Sequence, residues 1–343
     1  MPALNHFGLD IGTHSIKAVQ LSGSFERPNF VSAGQIPSPG KGLVSESPVD
    51  QAASADAIKR LHHEAQFTTD KVITALPESQ IFTRVIEMPN LKESEVANAI
   101  GWEAEQYVPI PISDVRLDWQ ILSKANNNQN RIEVLLIAAP KLLIDRYLKV
   151  LRQAGLSVVS LETEITAVVR SLVQKLEGAP TTLVISIGAS TTDLSIVSAG
   201  RISFTRSVGT GGLALARGVA QDLGFELDQA EEYMKTYGLD SDQLEGKVMQ
   251  AIKPIFDVVV NETRRALAFY AGKHAEIPVK RVVVTGGTAK LPGLVIYLAE
   301  ALGLEVQIAD PWQGINLPPN VSQHLREEGP SYAVATGLAL KET

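Results

Sequence analysis

The feature that most constrains this chain is a pattern that occurs twice. GLDIGTHSIKAV (8–19) and VISIGASTTDLSIV (184–197) both set a glycine turn between two apolar, strand-like stretches, and they superimpose with Gly12 on Gly188. A duplicated hairpin invites a fold of two similar halves facing a cleft, although strand–glycine–strand hairpins are common enough for chance to produce two. The length, 343 residues, leaves room for both halves. Hydrophobic residues at 45% and charged residues at 20% fit a globular α/β chain with a large core.

Charge and cysteine content exclude several functions. The net charge of -7 leaves no basic footprint for nucleic acid. With no cysteine there is no disulfide, no thiol catalysis and no Cys-ligated zinc. His62 and His63 are adjacent on a helical segment, so they diverge and suit a shared metal poorly. No apolar run reaches the roughly 18–20 residues of a membrane span. No basic segment followed by an apolar stretch opens the chain, so no signal peptide is expected.

The pattern predicts two strands in 6–21, a third at 29–36, and a Pro-, Gly- and Ser-rich surface loop over 37–55. A helix is expected from Ser54, as N-cap, to 66, with Ile58 and Leu61 on one face. Strands follow at 71–77 and 80–89, then an amphipathic helix at 91–108 stopped by Pro109 and Pro111. A strand pair at 115–122 and 131–140 encloses a polar loop at 125–130, and a helix covers 142–155. The second unit repeats three strands over 182–209. Helices follow at 210–223, 228–237 and 243–270, then a strand, a double-glycine turn and a helix start at 281–294, and a last helix at 332–340.

Tight turns of small residues leave backbone N–H groups free to cradle phosphate oxygens. In GTHS, Gly12 allows close approach, Thr13 and Ser15 add hydroxyls, and Lys17 supplies a positive charge. Gly188, Ser190, Thr191 and Thr192 offer the same from the second copy. Gly286 and Gly287, in TGGT, would let an aromatic base lie flat on the backbone. Asp10 and Asp193 are hard oxygen ligands of the kind Mg²⁺ takes, usually through water. Taken singly, each turn reads first as an ordinary turn and each aspartate as a hydrogen-bonding turn residue; two aspartates facing one cleft would reverse that. No Walker-type loop or dinucleotide fingerprint is present.

The order of 8–21, 161–169, 183–197 and 281–294 resembles the actin-like ATPase superfamily. The block ALPESQIFTRVIEMP followed by EVANAIGWEAEQYVPIPISDVRLDWQIL, with GTGGLALARGVAQDLGFELDQAEEYMKTYG (209–238), resembles the PilM family of type IV pilus assembly proteins. That resemblance implies an actin-like fold, two RNase H-like lobes around ATP and Mg²⁺, with an inserted subdomain as in FtsA. The first lobe would span 1–78, 156–178 and 325–343, and the peptide-binding insert 79–155. The second lobe would span 179–209 and 270–324, and a small helical subdomain 210–269. Carried over by position, Asp10, Gly12, Thr13, His14, Ser15 and Lys17 line the first phosphate loop. Gly188, Ala189, Ser190, Thr191 and Asp193 line the second. Glu262 and Arg265 touch ribose and base, Gly286, Gly287 and Thr288 the adenosine, and Asp10 and Asp193 hold the metal. Glu164 matches the position that orients attacking water in hydrolytic relatives, with Asp193 as the second catalytic candidate. A solvated helix charge is the other reading of Glu164. Ser186 stands where relatives commonly carry a metal-holding aspartate, which implies weak hydrolysis with binding retained.

The resemblance further implies a cytoplasmic protein, peripheral at the inner membrane through partners. It would bind the N-terminal cytoplasmic tail of PilN and link it to pilus motor ATPases, with self-association a further option. No membrane-anchoring tail is evident. Val96, Ile100, Trp102 and Tyr107, on or beside the helix at 91–108, are candidates for a peptide groove, with core packing the alternative. Two other functions stay open at this stage: a small-molecule kinase of the superfamily and a filament-forming scaffold such as FtsA.

Overall fold

The computed structural model describes residues 4–40, 42–122, 131–173, 179–319 and 321–343. The polar loop expected at 125–130 lies outside them. In chain order, β1 (Phe7–Ile11) and β2 (Ser15–Gly23) form a hairpin, β3 (Pro28–Pro37) extends it antiparallel, and α1 (Pro48–Glu64) crosses back to β4 (Lys71–Leu76), parallel to β1. One short helical turn, Glu78–Gln80, leads out to β5 (Phe82–Pro89), α2 (Glu93–Glu105), β6 (Val115–Ile121) and β7 (Arg131–Pro140). The chain re-enters through α3 (Lys141–Gln153), β8 (Ser157–Thr163), parallel to β4, and α4 (Glu164–Leu172).

The second half repeats this plan. β9 (Thr182–Ile187), β10 (Thr192–Ser198) and β11 (Arg201–Val208) are antiparallel neighbours. The helices α5 (Gly212–Leu223), α6 (Leu227–Tyr237) and α7 (Lys247–Lys273) precede β12 (Arg281–Thr285), which runs parallel to β9. Then come α8 (Leu294–Leu302), β13 (Glu305–Ile308), α9 (Gln323–Glu327) and α10 (Ala333–Ala339). The two five-stranded sheets have the same order, β3-β2-β1-β4-β8 and β11-β10-β9-β12-β13, and a three-stranded sheet, β5-β7-β6, stands apart. Three antiparallel strands followed by two parallel ones, twice over, make two RNase H-like lobes and an actin-like fold.

Apolar runs explain the layers. VITAL in β4 and LVISI in β9 are buried almost throughout because helices cover both faces of each sheet. The last helix, α10, returns to the first lobe and packs on α4 and β1, with Ala335 and Leu338 fully buried. No helix among the described residues is long and apolar enough to cross a membrane.

Three local expectations need correction. Helix α1 starts at Pro48, inside the stretch read as loop, because a proline at the first helical turn needs no N–H partner and has a helical φ built in. Ser54 is therefore not a cap but a buried mid-helix residue whose hydroxyl donates to Asp50 O at 2.8 Å. Strands β8 and β13 had no counterpart in the sequence reading.

Candidate functional site

Both hairpin turns and the C-terminal ends of the parallel strands open onto one cleft of about 1240 Å³ between the lobes. Open α/β sheets place ligand sites at such strand ends. The turns touch across the cleft, Thr13 Oγ1 lying 3.0 Å from Ser190 Oγ. Asp10, Gly12, Thr13, His14, Ser15 and Lys17 line one wall. Gly188, Ala189, Ser190, Thr191 and Asp193 line the other, with Gly286, Gly287 and Thr288 behind them. The second turn is held against the start of α5, since Gly212 and Leu213 donate their N–H groups to Gly188 O and Ala189 O, each at 2.9 Å. Gly286 has φ +93°, and a Cβ there would meet Ile187 O at 2.4 Å, so only glycine fits. Gly287 faces open space.

Three carboxylates, Asp10, Glu164 and Asp193, line the cleft at different points, and a fourth, Glu78, is buried beside Glu164. Asp10 pairs in register with Lys17 across β1 and β2, and Ser186 pairs with Asp193 across β9 and β10. Glu164 opens α4 at the end of β8. Its Oε2 accepts the Glu78 N–H at 3.3 Å. Burial raises Asp10 to about 6 against the opposing pull of Lys17, and it raises Asp193 to about 6. Glu164 is held well above the carboxylate range by burial and then by the charges of Asp193 and Asp10. Glu78 rises to about 8 through burial. Lys17 is lowered by its own burial and donates to Ser15 Oγ. A cleft with this excess of negative charge calls for a cation.

These residues fit Mg²⁺ in one specific sense. Asp10 and Asp193 present hard oxygens from opposite walls. Among the described residues, however, no three acidic or histidine side chains converge as a ready-made cage. Magnesium would therefore come with phosphate oxygens and water, held by the two aspartates, and would offset the charge of both.

The structure does not bring Glu262 and Arg265 to this cleft. They lie on the face of α7 toward β11, where Glu262 pairs with Arg206 and accepts from Arg265 Nη1 at 2.7 Å. There Arg265 borders a separate groove of about 450 Å³ with Arg206, Phe204, Phe269 and Lys273. Of the helices between β11 and β12, α5 and α6 reach the cleft and contribute Arg217, Glu231 and Lys235. Glu231 lies 3.8 Å from His14 across the cleft mouth and pairs with Lys235 at 2.6 Å. These three residues and Glu78 were missed. Glu78 left a signal, an acid directly after the buried strand KVITAL, at a strand end of the sheet.

The proposed peptide groove also divides. Val96 and Ile100 are buried in the core of the three-stranded sheet with Met88, Val134 and Leu136, so they line no groove. The i, i+4 spacing placed them on one face, and that face is inward. Trp102 is 75% exposed on the opposite side. Tyr107 is half-buried under the Arg84 guanidinium, 4.6 Å from its ring centre.

Comparison with known proteins agrees with this arrangement. The family model "Type IV pilus assembly protein PilM" matches residues 8–343. A solved PilM–PilN type IV pilus biogenesis complex superimposes with a TM-score of 0.86 and 31% identity, covering 98% of each chain. FtsA of Bacillus subtilis (strain 168) is 23% identical over 353 residues, covering 89% of this chain and 78% of FtsA. MreB5 of Spiroplasma citri, solved with AMPPNP, shares the fold at a TM-score of 0.56 and 14% identity, covering 97% and 94%. With the family model matched over residues 8–343 and the solved complex superimposing over 98% of the chain, the chain belongs to the PilM family of type IV pilus assembly proteins.

Proposed function

We propose that this chain is a nucleotide-loaded adaptor of a type IV pilus machine, working at the cytoplasmic face of the inner membrane. It holds Mg·ATP between the lobes and binds the N-terminal tail of a PilN-type membrane protein through the inserted sheet and α2, residues 82–140, since α3 packs into the first lobe. In this way it links the membrane complex to motor components. The observation that carries the nucleotide site is the meeting of the two repeat-related turns across one cleft, with Thr13 and Ser190 in contact and a carboxylate on each wall. The PilM–PilN complex supports the partner.

ATP acts here mainly as a structural or switching ligand. Ser186 gives the second wall a hydroxyl where the repeat puts Asp10 on the first, so the metal gains one carboxylate fewer. Burial and then the charges of Asp193 and Asp10 hold Glu164 well above the usual carboxylate range, which disfavours the ionised form a general base needs in the nucleotide-free state.

The test is to mix excess protein with limiting Mg·ATP, wait several minutes and identify the nucleotide that stays bound. Intact ATP is expected. Bound ADP would replace this reading with a hydrolytic cycle through Glu164, and no retained nucleotide would remove the tight site.

A further inference from the structure

Strands β5 and β11 are the end strands of their sheets, and among the described residues they lie against each other without forming a ladder. They are pinned where Thr205 Oγ1 donates to Thr83 O at 3.2 Å, so the Thr83 carbonyl faces β11. Alternation along the antiparallel pair of β5 and β7 turns the backbone N–H and C=O groups of Val85 and Glu87 to the same side. Both residues, with Ser203 and Phe204 of β11, border the groove of about 450 Å³ that α7 closes from a third side. The groove runs from the Thr83 pin to the pair of Lys273 with Glu87 at 3.0 Å. That stretch of β5 is about 13 Å of extended chain. Unpaired strand edges of this kind are templates for a further strand.

The walls select what such a strand carries. Arg84, Arg206, Arg265 and Lys273 border the groove, against Glu87 and Glu133. A third acid, Glu262, pairs with Arg206 and Arg265, and a fifth cation, Arg131, pairs with Glu87. Cations thus outnumber acids here by two, in a chain whose net charge is -7. Among the described residues Arg84 has no carboxylate partner and lies over the Tyr107 ring, 4.6 Å from its centre. The Arg265 side chain is 72% exposed and keeps donors for a second carboxylate. Phe269, 53% exposed with its ring 5.6 Å from Phe204, is an apolar step in this charged groove.

We propose that this groove docks an extended, acidic segment of a partner protein, which adds a strand to the free edge of β5. Its backbone pairs with Val85 and Glu87, its acidic side chains meet Arg206, Arg265 and Lys273, and one apolar side chain rests on Phe269. The site needs the second lobe as well as the inserted sheet, which sets it apart from a tail site on the insert alone. It also lies outside the nucleotide cleft, with which it shares no lining residue. An occupant there bridges insert and second lobe.

The test pans a phage library of random octapeptides on the immobilised full chain and titrates the enriched peptides by fluorescence anisotropy. Sequences that alternate acidic and apolar residues are expected. Their affinity should fall about tenfold or more in Arg265→Glu and in Phe269→Ala, and also on N-methylation of alternate peptide amides, which removes the ladder donors. The chain has no cysteine, so Ser203→Cys offers a single labelling site inside the groove. A maleimide label there should abolish binding, whereas the same label on Glu64→Cys, at the end of α1, should not. No acidic enrichment, an affinity unchanged in Arg265→Glu, or binding to the chain labelled at position 203 would overturn the proposal. So would displacement by inorganic phosphate but not by chloride, which marks an anion pocket, or displacement by a PilN-type tail peptide, which makes this groove the tail site itself.

Discussion

His6 is fully buried in the first lobe, with Nε2 donating to Leu338 O at 3.1 Å and Nδ1 orphaned. Protonation would create a second buried donor with no acceptor, so burial lowers its pKa below 6.5, more than the Leu338 carbonyl and Glu162 raise it. Arg170 and Lys341 add to the lowering. At this group the unfolded chain then binds more protons than the folded one between that lowered value and 6.5, and the His6 contribution to stability rises with pH across this window. The raised acids Asp10, Asp193, Glu78 and Glu164 act the other way across this window, so the His6 contribution is read as a difference: His6→Gln, which keeps a donor for Leu338 O, should make the unfolding midpoint fall more steeply from about pH 5 to about pH 7 than in the parent chain. A second residue prediction concerns the repeat. Its hairpins carry their acids on opposite strands, Asp10 on the first and Asp193 on the second. Ser186→Asp would set like charges directly opposite each other, costing about 0.2–1 kcal/mol without metal. Guanidinium titration should show that loss, and Mg·ATP should restore more stability to the variant than to the parent chain. At this scale the glycine turns and the pair Asp10 and Asp193 were legible because their strands are strongly patterned. Glu262 and Arg265 were carried over by position from the resemblance, and α7 of this chain turns them toward Arg206 on β11 and away from the cleft lining. Arg217, Glu231 and Lys235 were invisible because helical pattern fixes a face but not what that face meets.

Elements were legible where burial was strong. Strands β1, β4, β9 and β12 are nearly continuous apolar runs, while β8 and β13 are sheet-edge strands with half-exposed sequences, SVVSLET and EVQI, that carry little hydrophobic signal. Close packing of α10 on α4 depends on small residues, which the sequence shows only as a Gly/Ala-rich tail. At Gly337 a Cβ would lie 1.8 Å from Ala167 O, so Gly337→Ala must push the two helices apart. A loss of about 1–3 kcal/mol or more is expected. Chemical denaturation should show a lower midpoint at unchanged slope, and a parental midpoint would mean that the helices are not seated this closely.

At the scale of the whole molecule, the inserted sheet touches the second lobe as well as the first. Lys273 on α7 pairs with Glu87 on β5 at 3.0 Å, His274 lies 3.7 Å from Glu133 on β7, and β5 lies against β11. Across the cleft, Thr13 meets Ser190 and His14 approaches Glu231. Any movement of the lobes that opens the cleft must therefore shift the insert or break these contacts. Nucleotide binding and tail binding are then coupled through one mechanical equilibrium, and linkage requires the coupling to be reciprocal. ATP should tighten binding of a PilN-type tail peptide by about 5-fold or more, and the peptide should tighten ATP by the same factor. Lys273→Ala, which lies in neither site, should leave both separate affinities near parental values while reducing the coupling. Calorimetric titration of each ligand with and without the other measures all four affinities. If ATP binds equally well to the free and the peptide-loaded protein, the contacts between insert and second lobe carry no information between the sites.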